Sequence, residues 1–354
     1  MENSAGVREG TLVASGQTGA CGRGLRLAAI VALALIAACG PAREYHRIAG
    51  ETMGTEYAVT LSGGSACTAE VSNQIEMELR AVNAQMSTWR PDSEISRFNA
   101  APAGKWMPVS AELAGLVALA QELARESGGA FDVTVSPLVD LWGFGVRARS
   151  GLPAAEEIAD AATRVGFRYL EARPSPPALR KERAGLEVDL SAIAKGHGVD
   201  RLAALLDGRG CTDYLVEIGG EVRVRGMNPL GAAWRIAVDV PGSSAGPVLR
   251  LTEGALATSG DYRNFRTVGD TRYSHTIDPR TGRPVAHEMM SVTVMADTAA
   301  LADGLATLIN VLGPADGLAF ARRRGIAALA LVRHEGKLDR RYTEAMRDHI
   351  DRLR

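Results

Sequence analysis

The sequence predicts an α+β fold, with strands and helices mixed in one large domain or two intimately packed subdomains. Three observations carry that expectation. Strand-like and helix-like segments follow one another without the regular strand, helix, strand rhythm of a doubly wound sheet. Two strands at residues 214–218 and 221–225 are joined directly through Gly219-Gly220, a hairpin signal that belongs to antiparallel sheets. The 354 residues contain no internal repeat, heptad run or low-complexity tract, and the chain is about twice the usual length of a single domain.

Taken in order, residues 57–61 alternate enough to form a strand. Val71, Ile75, Leu79, Val82 and Met86 then recur at helical spacing and define one apolar face. A turn is expected at Pro91-Asp92. Ser110 is placed to cap a helix whose apolar face runs from Leu113 to Ala124 and whose stop is Gly128-Gly129. Residues 131–135 read as a strand. Residues 171–185 carry Pro174, Pro176, Pro177 and several basic side chains, so an exposed loop is expected there, with a possible subdomain boundary near 171–187. Residues 188–191 lead into a helix with Val199, Leu202, Leu205 and Leu206, closed by Gly208 and Gly210. Trp234, Ile236, Val238 and Val240 alternate in a further strand, and residues 290–295 form another. A helix from about 298 to 312 buries Leu301, Leu305, Leu308 and Leu312, and residues 326–332 supply a last apolar strand.

Composition excludes several classes of function. Apolar residues make up 46% and charged residues 23%, with 40 basic against 41 acidic side chains, so neither disorder nor a nucleic-acid-binding field is expected. The four cysteines, Cys21, Cys39, Cys67 and Cys211, are scattered without a C-x-x-C or a Cys/His pair at zinc spacing. No disulfide framework or structural zinc is therefore expected, and any metal must be held by oxygen.

The N-terminus reads as an address. Arg23 and Arg26 precede an apolar run over residues 27–38 that ends at Cys39-Gly40. The run is too short for a bilayer core, which needs about 20 helical residues. A basic segment, a short apolar core and small residues before the cut describe a secretory signal. Leu35-Ile36-Ala37-Ala38-Cys39 also resembles a bacterial lipobox, in which the cysteine is acylated and begins the mature chain. The expected organisation is a signal over 1–38, a lipid-anchored tether over 39–49 attached at Cys39, and one further domain over 50–354. No later stretch is expected to span a membrane.

Several short segments carry chemistry. Gly50-Glu51-Thr52-Met53-Gly54-Thr55 is a turn around a methionine. Met86-Ser87-Thr88-Trp89 sets an aromatic just past a helix end, where it can stack on a planar ligand or pack in the core. Gly129-Ala130-Phe131-Asp132-Val133-Thr134 ends one element and starts another. In Val188-Asp189-Leu190-Ser191-Ala192-Ile193-Ala194-Lys195-Gly196-His197-Gly198, Asp189 and Ser191 are candidate helix caps, the glycines admit phosphate oxygens close to the backbone, and Lys195 supplies a point charge. Ser274-His275-Thr276-Ile277-Asp278-Pro279-Arg280-Thr281-Gly282 places an imidazole, whose ordinary pKa near 6.5 suits proton removal, beside a tight turn. Asp303 and Thr307 share a helix face and are hard oxygen donors suited to Mg²⁺, or else Thr307 bonds back to the Asp303 carbonyl.

Together with Ile218-Gly219-Gly220-Glu221, Ser259-Gly260-Asp261-Tyr262 and Ala302-Asp303-Gly304-Leu305-Ala306-Thr307, these blocks stand in the order seen in the ApbE family, which the chain resembles from about residue 50 to 332. Members of that family are flavin transferases that move FMN from FAD to a threonine or serine hydroxyl of an acceptor protein and release AMP. The resemblance implies an FAD site lined by Met53, Trp89, Ala130, Phe131, Asp132, Asp189, Lys195, Thr276 and Ile277. It implies a Mg²⁺ held by the Ala192 carbonyl, Asp303 and Thr307, with Ala306 placed to contribute. His275 is the expected base, and Asp261 and Glu221 are expected to shape the pocket. Ala192 stands where some relatives carry threonine, and His197-Gly198 where an aromatic often follows the glycine. The expected acceptor is a flavinylated subunit of a membrane redox complex. The expected location is the bacterial cell envelope, lipid-anchored and facing the periplasm, with the inner membrane the first choice and Gly40 leaving that choice open. Two alternatives remain: hydrolysis of FAD to FMN and AMP at the same site, and a flavin-storage lipoprotein, against which an intact base and cation pair argue.

Overall fold

The structure is a computed structural model and describes residues 45–62, 65–147, 149, 151–240, 246–260 and 264–351. Cys39, the expected signal segment, Asp261 and Tyr262 lie outside the described residues.

One eight-stranded sheet dominates: β1 (Tyr45–Thr52), β2 (Thr55–Ser62), β3 (Asp213–Ile218), β4 (Glu221–Arg225), β5 (Glu253–Gly260), β6 (Met289–Ala296), β7 (Ala327–His334) and β8 (Lys337–Tyr342). Spatial order follows chain order and every neighbouring pair is antiparallel. This is the α+β arrangement expected from the mixed strands and helices. The β1 strand begins at Tyr45, inside the segment expected to be tether; its side chains are mostly exposed, so no apolar alternation marked it.

Four long helices are α1 (Val71–Met86), α2 (Ala111–Glu126), α3 (Ala194–Gly208) and α4 (Ala299–Arg323). The buried residues of α1 are the five whose spacing predicted it. Ser110 caps α2 as expected, its Oγ accepting from Leu113 N at 3.2 Å. Alternation along β7 divides two faces. Ala328, Ala330 and Val332 belong to the core shared with α2 and α4, whereas Leu329 packs in a cluster with Trp234 and Leu249 of the small hairpin Trp234–Ala237/Val248–Leu251.

Three local expectations are corrected. Residues 131–135 are not a strand, because the Asp132 carboxylate captures Thr134 N and Thr134 Oγ1 at 2.8 and 2.7 Å and turns the chain. Residues 171–185 are not an open loop: Leu170–Pro174 pairs with Pro177–Lys181, and Ala178, Leu179 and Lys181 are buried. The basic and proline-rich composition concealed a short hairpin whose inward side is apolar. Asp189 and Ser191 do not cap α3, whose preceding residue is Ile193; Asp189 Oδ1 instead accepts from Ser191 N at 2.8 Å.

Helix α4 continues beyond the expected stop at Leu312, through a kink at Gly313, which has φ 79°. Pro314 lacks an N–H, which deprives the Asn310 carbonyl four residues earlier of its helical donor. His287 Nε2 lies 2.6 Å from that carbonyl and takes the donor's place. By length and composition α4 is apolar enough to cross a membrane, contrary to expectation, but 67% of its most apolar window is buried inside the fold. Cys67 and Cys211 form a disulfide across 144 residues. The sequence expectation of no disulfide framework had no means of pairing two cysteines so far apart.

Candidate active site

Helices α3 and α4 meet where the site forms, and two residues of α3, Asp200 and Gly196, set their approach. Asp200 of α3 accepts the first two N–H groups of α4, Ala299 N at Oδ1 and Ala300 N at Oδ2, both at 2.9 Å. Within α4 itself, the capping Thr298 Oγ1 accepts a third N–H, from Leu301. Gly196 supplies the closeness: a Cβ there would lie 2.2 Å from the Ala299 carbonyl oxygen. One turn into α4, Asp303 is buried and accepts from Gly196 N at 3.1 Å.

Lys195 bridges two carboxylates at this junction. Its Nζ lies 2.6 Å from Glu221 Oε1 and 3.8 Å from Asp303 Oδ1. Burial raises the Glu221 pKa, with Lys195 pulling it down and Asp303 adding to the rise. Burial also raises Asp303, opposed by Lys195 and the Gly196 N–H. For Lys195, burial works against the charge, but Asp303 and Glu221 outweigh it and its pKa is raised. Two buried carboxyl groups share one ammonium, and the second Glu221 oxygen is buried without a hydrogen-bond partner. A hard cation beside Asp303 fits that arrangement.

The cluster forms the floor of a cleft of about 360 Å³. Asp189, Ala192, Lys195, Asp303 and Thr307 line it from the α3 and α4 side. Trp89, Ala130, Phe131 and Asp132 line another wall, and His275, Thr276 and Ile277 a third. A second cavity of about 430 Å³ shares Trp89 and Lys195 with the first and adds Met53. Met53 sits in the two-residue turn between β1 and β2 with φ 51°, the left-handed region in which a non-glycine side chain costs about 1–2 kcal/mol. Trp89 is 68% exposed, an aromatic face open at the border of both cavities.

Individual side chains are held firmly. Asp132 also accepts from Phe167 N at 2.7 Å, so its carboxylate orders the wall. Burial raises its pKa, with the Thr134 and Phe167 hydrogen bonds opposing. Asn99 clamps Val188 by accepting from its N–H and donating to its carbonyl, at 2.8 and 2.9 Å, and Asp189 N donates to the Val133 carbonyl at 2.7 Å. The Asn99 bonds tie the segment before α3 to the helix Glu94–Ala100, and the Val133 bond ties it to the Phe131 wall. His275 Nδ1 lies 2.9 Å from the Asn264 carbonyl. A carbonyl only accepts, so the proton of the neutral ring is on Nδ1 and the lone pair on Nε2. The following turn is tight, with Gly282 N bonded to Asp278 O at 2.9 Å and Trp142 Nε1 donating to the Gly282 carbonyl at 2.8 Å.

The expected site residues therefore meet around two adjoining cavities. Ala306 is the exception: it is fully buried in the core beside α2, which leaves only its backbone to contribute. Sequence reasoning missed Asp200, Asn99 and Phe144. Phe144 lines the cleft and meets the His275 ring edge-on at 6.4 Å. Asn99 ends the polar segment that follows Trp89, but its partner, like those of Asp200 and Phe144, lies at least 89 positions away, where local spacing gives no sign of it.

Comparison with known proteins decides the family. The ApbE family model matches residues 53–330. The chain belongs to the ApbE family. It is 42% identical over 313 residues to an FAD:protein FMN transferase of Vibrio cholerae, covering 87% of this chain and 93% of that one. A Haemophilus influenzae protein of the same name is 39% identical over 315 residues, covering 86% and 91%. Among solved structures, the flavin transferase ApbE from Vibrio cholerae superposes with a TM-score of 0.82 at 39% identity, covering 87% of this chain and 99% of that one. The apo flavinyl transferase ApbE of Pseudomonas stutzeri gives 0.81 at 38% identity, covering 87% and 97%.

Proposed function

We infer that this ApbE-family chain is an FAD:protein FMN transferase, which moves FMN from FAD to a hydroxyl of an acceptor protein. The observation that carries the mechanism is the Lys195, Glu221 and Asp303 cluster on the floor of a cleft with His275 on its wall. FAD lies along the two cavities, with Trp89 offering a stacking face and Lys195, at their shared border, offsetting the pyrophosphate charge. The threonine or serine oxygen of the acceptor attacks the FMN phosphorus. His275 takes the hydroxyl proton at Nε2, the bond from that phosphorus to the bridging oxygen breaks, and AMP leaves with that oxygen. Asp303, Thr307 and the backbone carbonyls of Ala192 and Ala306 would hold Mg²⁺, which supplies charge neutralisation to the pyrophosphate when bound.

The envelope reading remains part of the proposal: attachment through Cys39, a periplasm-facing catalytic domain and a membrane redox subunit as acceptor. The Cys67 disulfide supports an oxidising compartment.

The test is to incubate the protein with FAD, Mg²⁺ and a threonine-containing acceptor, then weigh the acceptor and assay AMP. Transfer gives a mass gain of FMN less one water, matched by AMP. FMN and AMP without a mass gain would mean hydrolysis. Bound FAD that survives Mg²⁺ and acceptor unchanged would mean storage.

A further inference from the structure

We propose that Glu221 is a positioning residue for the cation site, holding the Lys195 ammonium off Asp303 so that the Asp303 carboxylate stays open to a hard cation. The proposal rests on the metal reading above and adds a role for a residue outside that ligand set.

The geometry is asymmetric. Lys195 is bonded to Glu221 at 2.6 Å but stands 3.8 Å from Asp303, beyond hydrogen-bond reach. Asp303 is oriented independently, through the Gly196 N–H at Oδ2, which leaves Oδ1 on the lysine side. Glu221 is the first residue of β4, paired with Ile218 across the Gly219-Gly220 turn, so its backbone is fixed by the sheet. The same turn admits the lysine stem: a Cβ on Gly219 would meet Lys195 Cδ at 3.3 Å and Thr55 Cγ2 at 2.8 Å. Lys195 is thus led past the turn that carries Glu221 and bonded there.

The alternative partner is close. Among the described residues Lys195 pairs with Glu221 and Asp303. If Glu221 lost its charge, an ammonium shift of about 1 Å would complete a charge-assisted hydrogen bond to Asp303. That bond would occupy the oxygen needed by a cation and place a positive charge beside it. The direct reading, that Glu221 is itself a ligand, makes a different prediction. It requires Glu221 to matter whether or not Lys195 is present.

The experiment compares Mn²⁺ binding, read by the free-ion electron paramagnetic resonance signal, in wild type, Glu221→Gln, Glu221→Asp, Lys195→Met and the double variant Lys195→Met/Glu221→Gln. A charge-assisted hydrogen bond gained by Asp303 should weaken Mn²⁺ binding about 10- to 100-fold in Glu221→Gln. Glu221→Asp should retain affinity within about threefold of wild type, and Lys195→Met should bind at least as tightly as wild type. In the Lys195→Met background, Glu221→Gln should have little further effect, because no ammonium remains to move. An equal loss in both backgrounds, or no loss in either, overturns the proposal. Thermal melts identify any variant that fails to fold; should Glu221→Gln do so, looser binding by Lys195→Met would overturn it. A wild-type protein that binds no Mn²⁺ would instead defeat the metal reading itself.

Discussion

Gly196→Ala tests whether the crossing of α3 and α4 sets the catalytic geometry. The added Cβ would sit 2.2 Å from the Ala299 oxygen, 2.5 Å from the Ala299 carbon and 2.7 Å from Ala300 N. Ordinary contact to a carbonyl oxygen is above 3 Å, so the helices must part by about 1 Å. Backbone atoms cannot rotate away as a side chain would, and Asp200 holds the two N–H groups of this same stretch. Overpacking of this kind costs about 1–3 kcal/mol of stability. The larger effect falls on chemistry, because Lys195 and Asp303 stand on opposite sides of the clash and a 1 Å misplacement costs about 10²-fold in rate. The assay is the initial rate of FMN transfer by acceptor mass, alongside thermal melts. Gly198→Ala is the control, since its Cβ would meet flexible ends, Met53 Cε at 2.9 Å and Ile218 Cδ1 at 3.1 Å, and should cost less. A Gly196→Ala rate within threefold of wild type would refute the reasoning.

His275→Ala should lose about 10²–10⁴-fold in transfer rate while FAD affinity, read by flavin fluorescence, changes little; a variant that instead bound FAD poorly but turned over normally at saturation would make His275 a ligand contact. Asp303→Ala should abolish turnover with the fold retained by circular dichroism, and excess chelator should stop the wild-type enzyme; full activity in chelator would contradict a cation requirement. His197 is largely buried, with Nε2 unpartnered, and burial lowers its pKa to about 4, with Arg201 adding to the effect against Asp200 and Glu112. The unfolded chain takes up that proton near pH 6.5 and the folded one near 4, so stability should fall by up to about 3 kcal/mol across that window as pH drops. His197→Leu should flatten the decline in melting temperature, and an unchanged profile would assign the acid sensitivity elsewhere. Reducing the Cys67–Cys211 disulfide should cost about 2–4 kcal/mol, seen as a lower melting temperature in reductant, and an unchanged melt would mean that the packing of α1 on α3 already supplies the constraint.

What was legible in the sequence was what is local or ordered along the chain. Helix α1 was readable because a 3.6-residue period is written into five side chains that need no distant partner to be recognised. The hairpin of β3 and β4 was readable because Gly219-Gly220 supplies left-handed backbone between two short apolar runs. Residues 131–135 failed for the complementary reason: their apolar pattern suits a strand, yet one short side chain, Asp132, offers the backbone a competing partner. Lys181 shows the same limit from the polar side. A lysine in a basic, proline-rich stretch reads as solvent-facing, but its ammonium is buried and donates to the Asn99 and Leu186 carbonyls at 2.6 and 3.1 Å.

The site divides in the same way. The blocks that contain Lys195, His275 and Asp303 were identifiable as blocks, and the fold brings them to one cleft. Their relative placement rests on contacts that no short motif encodes: Asn99 on Val188, Asp200 on Ala299 and Ala300, and the bare Cα of Gly196 against Ala299. Each is a side-chain hydrogen bond to the backbone or a close backbone approach, so substituting these residues is expected to disturb geometry more than polarity. The two levels make different demands on the chain. On the proposed mechanism, charged groups at the floor determine which reaction the cleft supports, whereas the small and capping residues beneath determine whether those groups stand close enough to perform it. A variant that keeps every charged side chain but separates α3 from α4 should therefore retain the site's composition and lose its rate.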